Sequence, residues 1–202
     1  MIQNEAIEKL LSELSGCGVC QTGKRYLDGS PRDMATLVKV WRGWPEYLYE
    51  HSEFALSVLR KYLDGPAKEI LAQEAIYVDH KGSAITHEAS RVFFMGDSVA
   101  DLQLDDYAVA TIYLFNSAKV TLHCGENACV SVETFDDSRL NIYGGEKGRI
   151  TVYKYDRSIV TGAARIKPKE YKRGEVFNGR ENDLKTNEIQ GNNPKFTPRW
   201  KN

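Results

Sequence analysis

The sequence predicts a mainly β protein: a β-solenoid, or β-helix, of about three twenty-residue coils behind an α-helical N-terminal cap. Three observations predict it. A small residue recurs every ten positions at Ser98, Ala108, Ala118, Ala128, Ser138, Gly148 and Ser158. Aliphatic residues follow two and four positions later, as in Ala118-x-Val120-x-Leu122 and Ala128-x-Val130-x-Val132, which is strand alternation at a fixed repeat. The residues opening the turns alternate in kind, Phe115, Gly125, Phe135, Gly145, Tyr155, so the structural unit is two tens with two unlike corners. Two short strands and two turns per coil, with like corners stacked at about 4.8 Å, satisfy all three. An antiparallel β-meander is the alternative, since its alternate turns also fall at opposite ends. Stacked coils are preferred because they require one small residue at the same place before every strand.

A run of units is needed because one unit cannot stand alone. Ordering a residue costs roughly 1–2 kcal/mol of backbone entropy. Burying an aliphatic side chain returns about 1.5–3 kcal/mol. Ten ordered residues with two buried aliphatics therefore lose, and only a stack with covered ends gains.

The chain divides into residues 1–74, a helical N-terminal region or cap; 75–162, a β-hairpin and the solenoid repeats; and 163–202, a polar basic tail. Asn4 to Leu14 reads as an amphipathic helix with Ala6, Ile7, Leu10, Leu11 and Leu14 on one stripe. A loop to Gly29 follows. Ser30 is placed as the cap of the next helix, with Pro31 at its first position and Met34, Leu37, Val38 and Trp41 on its buried stripe. Trp44-Pro45 breaks the chain, Ser52 is placed as the cap of a third helix, and Asp64-Gly65 stops it before a last helix that opens at Pro66. Ala75–Asp79 and Ala84–Thr86 read as strands joined by a Lys81-Gly82 turn. Ser90 to Phe94 reads as a first repeat unit set off from the register by Met95-Gly96-Asp97. Beyond Thr161 the pattern stops. From Ala163 on there are ten Lys or Arg against five Asp or Glu, although the whole chain carries only −1.

Composition and motifs narrow the function classes. No apolar run reaches the twenty or so residues of a membrane helix, and the opening Met1-Ile2-Gln3-Asn4-Glu5 lacks the basic and apolar regions of a signal peptide. A cytoplasmic location without membrane association is the expectation. The chain has no Gly-x-Ser-x-Gly, no phosphate-binding Gly-x-x-x-x-Gly-Lys, no His-Glu-x-x-His and no dinucleotide fingerprint, so it is read as non-enzymatic and without a cofactor. Cys17-Gly18-Val19-Cys20 has the spacing of half a zinc site, with His51, His80 or His87 available to complete it. Asn116, Asp136 and Asp156 stack on one corner and Glu126 and Glu146 on the other, an arrangement seen in calcium rolls but here without their glycine-rich nonapeptides. Tyr113, His123, Tyr143 and Tyr153 share an outward column with Glu133 and form the candidate binding surface, suited to a protein partner or to carbohydrate. The outward column Thr111, Thr121, Ser131, Asn141, Thr151 and Thr161 reads as ordinary strand composition.

The unit in Asn116-Ser117-Ala118-Lys119-Val120-Thr121-Leu122 and Glu126-Asn127-Ala128-Cys129-Val130-Ser131-Val132 resembles the short tandem repeats of predicted β-solenoid proteins in bacterial and phage-like genomes. The likeness covers the repeat region and implies a shape. The expected role is a scaffold or protein-interaction module, with self-association through the open end of the solenoid and no nucleic-acid partner. The alternative is a polysaccharide-active or acyl-transfer enzyme on a β-helical frame.

Overall fold

The computed structural model describes residues 2–16, 21–43, 45–84, 91–162 and 169–171. Five helices come first. α1 (Ile2–Gly16) buries Ile7, Leu10, Leu11 and Leu14 as its stripe predicts. Where a loop is expected, the chain forms α2 (Gln21–Gly29), which buries Leu27 in the helical core. Its Thr22 and Gly23 are poor helix formers, so local propensity conceals a helix that packing stabilises. α3 (Met34–Gly43) begins later than expected. Asp33, not Ser30, caps it, accepting the Thr36 amide hydrogen on Oδ1 at 2.8 Å. α4 (Glu46–Tyr62) is one element with a kink at His51 (φ −122°, ψ 21°). Ser52, placed as a cap by the sequence, instead donates its hydroxyl to Asp136 Oδ2 at 3.0 Å. α5 (Gly65–Gln73) is capped by Asp64, whose Oδ1 accepts from the Ala67 amide at 2.9 Å, with Pro66 in the first turn.

The rest of the described chain is a parallel β-solenoid. Strands β1 (Ile76–Val78), β3 (Arg91–Met95), β5 (Val109–Leu114), β7 (Cys129–Thr134), β9 (Arg149–Tyr155) and β11 (Lys169–Tyr171) form one sheet in that order. Strands β2 (Lys81–Ala84), β4 (Val99–Leu104), β6 (Lys119–Cys124), β8 (Arg139–Gly144) and β10 (Ile159–Gly162) form the other. Every pairing is parallel and joins strands one coil apart, so the meander is excluded.

The stack extends beyond the periodic stretch at both ends, and two sequence readings change. The expected hairpin is not formed by residues 75–84: β1 pairs with β3, and β2, which contains the expected Lys81-Gly82 turn, pairs with β4, as the two sides of an earlier coil; Ile85 and Thr86 of the second expected strand lie outside the described residues. Ile76 stands opposite Phe93 and Lys81 opposite Val99, offsets of seventeen and eighteen rather than twenty, which hid this coil from the period. Nor is there an insertion at Met95-Gly96-Asp97. Phe94 faces Leu114 and Val99 faces Lys119, both at an offset of twenty, so these residues are an ordinary corner. At the far end β11, inside the polar tail, adds a strand beside β9.

The interior is as the alternation predicts. Val120, Leu122, Val130, Val132, Leu140, Ile142, Ile150 and Val152 are all buried, with Val92, Phe94, Ile112 and Leu114 ahead of them. The small-residue column sits where each strand leaves its corner. Ser98, Ala118, Ala128, Ser138 and Ser158 are buried, and Gly148 shows the constraint, since a Cβ there lies 2.2 Å from the Ala128 carbonyl oxygen.

The helices lie against the side of the stack as well as its first coil. One core joins Ile7, Leu10, Leu37, Trp41, Leu48, Tyr49 and Leu59 to Phe93, Tyr113, Phe115, Phe135 and Tyr155, all from the six-stranded sheet or its corners. Phe115, Phe135 and Tyr155 stack along this edge as predicted, with ring centroids 4.8 and 4.4 Å apart. Tyr49 of α4 lies on Phe135 at 4.7 Å. The helices, expected as a cap on the first coil, meet Ile76 and Val78 there and cover the side of the stack as well. The outer face of the six-stranded sheet carries Phe93 and Tyr113, an apolar surface that the helices remove from water.

Candidate functional site

The four-residue candidate column splits between the two sheets as twenty-residue coils require, Tyr113 and Tyr153 on one with Glu133 between them, His123 and Tyr143 on the other. Tyr113 and Tyr153 face the helices from the six-stranded sheet, Tyr113 only 5% exposed and stacked on Phe93, Tyr153 packed partly buried against the helical core. Glu133, their register partner, is 7% exposed and accepts the Tyr49 hydroxyl hydrogen on Oε2 at 2.9 Å. Half of the expected binding column is therefore part of the joint between helices and solenoid. Strand period alone cannot show this, because both sheets carry an outward aromatic at the same place in the repeat.

His123 and Tyr143 remain exposed on the five-stranded sheet, with rings stacked at 5.3 Å and 15°. Gln103 continues their column. Beside it runs a polar column, Asp101, Thr121, Asn141 and Thr161. Asn141 donates from Nδ2 to the Tyr143 hydroxyl at 2.7 Å, and its Oδ1 accepts from Thr161 Oγ1 at 3.1 Å, which fixes the amide orientation and the tyrosine ring together. The third column is Lys81, Val99, Lys119, Arg139 and Ile159, all exposed. The sequence offers a signal for Lys119 and Arg139 as well: their twenty-residue spacing, one full coil, places two cations side by side on one sheet.

The corner column carries its own network. Asp79, Gly96, Asn116, Asp136 and Asp156 all have positive φ, between 54° and 69°. The side chain of each later residue accepts the amide hydrogen of its neighbour one coil back: Gly96 N to Asn116 Oδ1, Asn116 N to Asp136 Oδ2, Asp136 N to Asp156 Oδ2, at 2.8–3.1 Å. Asn and Asp suit this corner because they tolerate the left-handed region and supply the acceptor. These oxygens hold backbone amides, and among the described residues no group of three His, Cys, Asp or Glu is placed to hold a metal. Glu126, on the opposite corner, pairs with Lys147 at 2.5 Å. Cys17 and Cys20 lie outside the described residues, as does His87. Cys124 and Cys129 are free thiols, and burial pushes the Cys124 thiol up to about 11.

The strongest charge cluster ties α4 and α5 to the first corner. Arg60 donates to both oxygens of Asp79 at 2.6 and 3.0 Å and to Asp97 at 2.8 Å. Lys68 reaches Asp79 at 3.3 Å, and the Asp97 amide donates to it at 3.0 Å. The Arg60 hydrogen bonds, with the Asp97 amide and Lys68 adding to them, hold the Asp79 carboxyl well below the usual carboxylate range. It stays anionic and serves as an anchor. Asp79→Asn is expected to cost about 1–2 kcal/mol, the lower part of the range for charged hydrogen bonds because solvent reaches the cluster. Since the folded state depresses this pKa, the contribution is complete above the unfolded value near ~4 and is lost as pH falls through the folded one. Thermal melts of the two proteins should converge on acidification from about pH 5 downward; a constant gap would exclude the charge as its origin.

No helix among the described residues is long and apolar enough to cross a membrane. No protein-family model matches the chain, and neither does any curated protein or any solved structure.

Proposed function

We propose that the protein is a non-enzymatic β-solenoid scaffold that works as an interaction module, with the outer face of the five-stranded sheet as its binding surface. One observation carries the reading: the helices cover the outer face of one sheet and leave the other open, with its side chains in three ordered columns. A parallel sheet in register presents those columns at a constant rung of about 4.8 Å, which suits recognition of an extended partner. The ring pair of His123 and Tyr143 supplies the part of the face that releases most water on contact. The sheet edges at β10 and β11 offer the second contact, a further copy of the chain adding strands to the end of the stack.

The test is a pull-down from the native host with full-length protein and with His123→Ala/Tyr143→Ala, read by mass spectrometry, with light scattering of the purified samples. The expected result is a set of partners retained by the unaltered chain and lost by the double variant, on a protein that is at least a dimer. Partners kept equally by both would remove the open face from the reading. Turnover of a polysaccharide or acyl donor by the purified protein would replace it with the enzyme alternative.

A further inference from the structure

We infer that the open face of the five-stranded sheet binds an acidic polysaccharide, a uronate-bearing chain laid across β6 and β8. The inference rests on the open-face reading and names its ligand. Its starting point is a pair of cations. Lys119 and Arg139 are register partners on adjacent strands, whose backbones run about 4.8 Å apart, and both are exposed. Among the described residues neither has a carboxylate within ion-pair distance, whereas Lys9, Arg60, Lys61, Lys147 and Arg157 each do. Like charges directly opposite one another across a sheet repel. A ligand with carboxylates relieves that repulsion and gains charge-assisted hydrogen bonds.

The other two columns state what else the ligand carries. Thr121 and Asn141 offer hydroxyl and amide groups beside the cations, suited to a chain of alcohols. Tyr143, its hydroxyl held by Asn141 and stacked on His123, offers an oriented aromatic surface for the C–H face of a pyranose. Four residues along a strand separate Lys119 from His123, a span of roughly 13 Å. An oligosaccharide bridges that distance; a single sugar, amino acid or inorganic phosphate does not. Single-stranded nucleic acid also combines anions with rings, but its binders track the backbone with a basic groove. Among the described residues the Lys119 column holds three cations, Lys81, Lys119 and Arg139, next to the acidic Asp101 and on a chain of net charge −1; of these, Lys81 donates to the Asp97 carbonyl oxygen. The balance favours a ligand with sparse carboxylates and many hydroxyls.

Affinity electrophoresis of the full-length chain through gels containing polygalacturonate tests the inference, with dextran as the neutral polymer and a single-stranded oligonucleotide in solution as the competing class. Retardation by polygalacturonate alone is expected. Lys119→Gln/Arg139→Gln should weaken it by about tenfold or more, as two charge-assisted contacts are lost. Tyr143→Ala should weaken it by about fivefold. Arg149→Gln, an exposed cation on the six-stranded sheet, should leave it unchanged. Unaltered melting of each variant shows that the fold is kept. No retardation by polygalacturonate, equal retardation by dextran, equal affinity for the oligonucleotide, or indifference to the Lys119/Arg139 change would each overturn the glycan. A protein partner captured through His123 and Tyr143 without polygalacturonate binding would overturn the inference and leave the open-face reading in place.

Discussion

Phe135→Ala is expected to destabilise the protein by about 3–5 kcal/mol, the range for deleting a fully buried aromatic ring. Phe135 is 1% exposed and touches three rings: Phe115 at 4.8 Å, Tyr155 at 4.4 Å and Tyr49 at 4.7 Å. The first two contacts run along the stack of coils, and the third crosses to α4. One deletion therefore opens a cavity that neither partner can close, because the rings on both sides are fixed by the rung spacing. Tyr49 also holds Glu133 one strand end away, so its displacement loosens a buried hydrogen bond as well. Denaturant unfolding followed at the far-ultraviolet helix signal measures the effect. Phe135→Leu, which keeps most of the volume, should recover about half of it. A loss below about 1 kcal/mol for the alanine variant would mean that the helices do not depend on this edge of the stack.

The second large effect is at the corner next door. Asp136→Ala is expected to cost about 2–4 kcal/mol, and Asp136→Gly about 1 kcal/mol less. The order is unusual, since glycine normally weakens a chain more than alanine does. Asp136 has φ 57°, where a Cβ is strained and aspartate is tolerated through its local hydrogen bonds. Its Oδ2 accepts from the Asn116 amide at 2.8 Å and from Ser52 Oγ at 3.0 Å. Both replacements lose these bonds and leave the Asn116 amide, in a residue only 8% exposed, without its acceptor. Alanine adds the backbone strain, and glycine does not. Asp136→Asn keeps the acceptor and the conformation, and its expected cost is below about 1 kcal/mol. Chemical denaturation of the three variants checks the ranking. Alanine and glycine variants of equal stability would show that strain at this corner is negligible.

The two predictions mark the places where the repeat meets something outside itself, and the sequence is informative to different degrees about each. The aromatic edge was legible as far as its own stacking, because Phe115, Phe135 and Tyr155 are twenty residues apart and a coil of twenty places them one above another. Tyr49 was not legible as their partner, since nothing in its neighbours announces which solenoid edge α4 meets. The same division applies to the candidate site. His123 and Tyr143 were found by period, but so were Tyr113 and Tyr153, which the helices cover.

The sequence by itself determined the solenoid, its two unlike corners, and every inward aliphatic from Val120 to Val152. The reason is physical: in a parallel stack, inward and outward alternate with period two and each coil repeats the last, so a local pattern carries the global shape. It missed the first coil because offsets of seventeen and eighteen break the period while leaving the pairing intact. Only the tertiary structure decided which outer face is open. Both sheets carry aromatics at the same repeat position, and the choice between them depends on how Tyr49 of α4 lies on Phe115 and Phe135. That docking is made by residues far apart in sequence, where burial of apolar surface is non-directional and leaves no spacing to read.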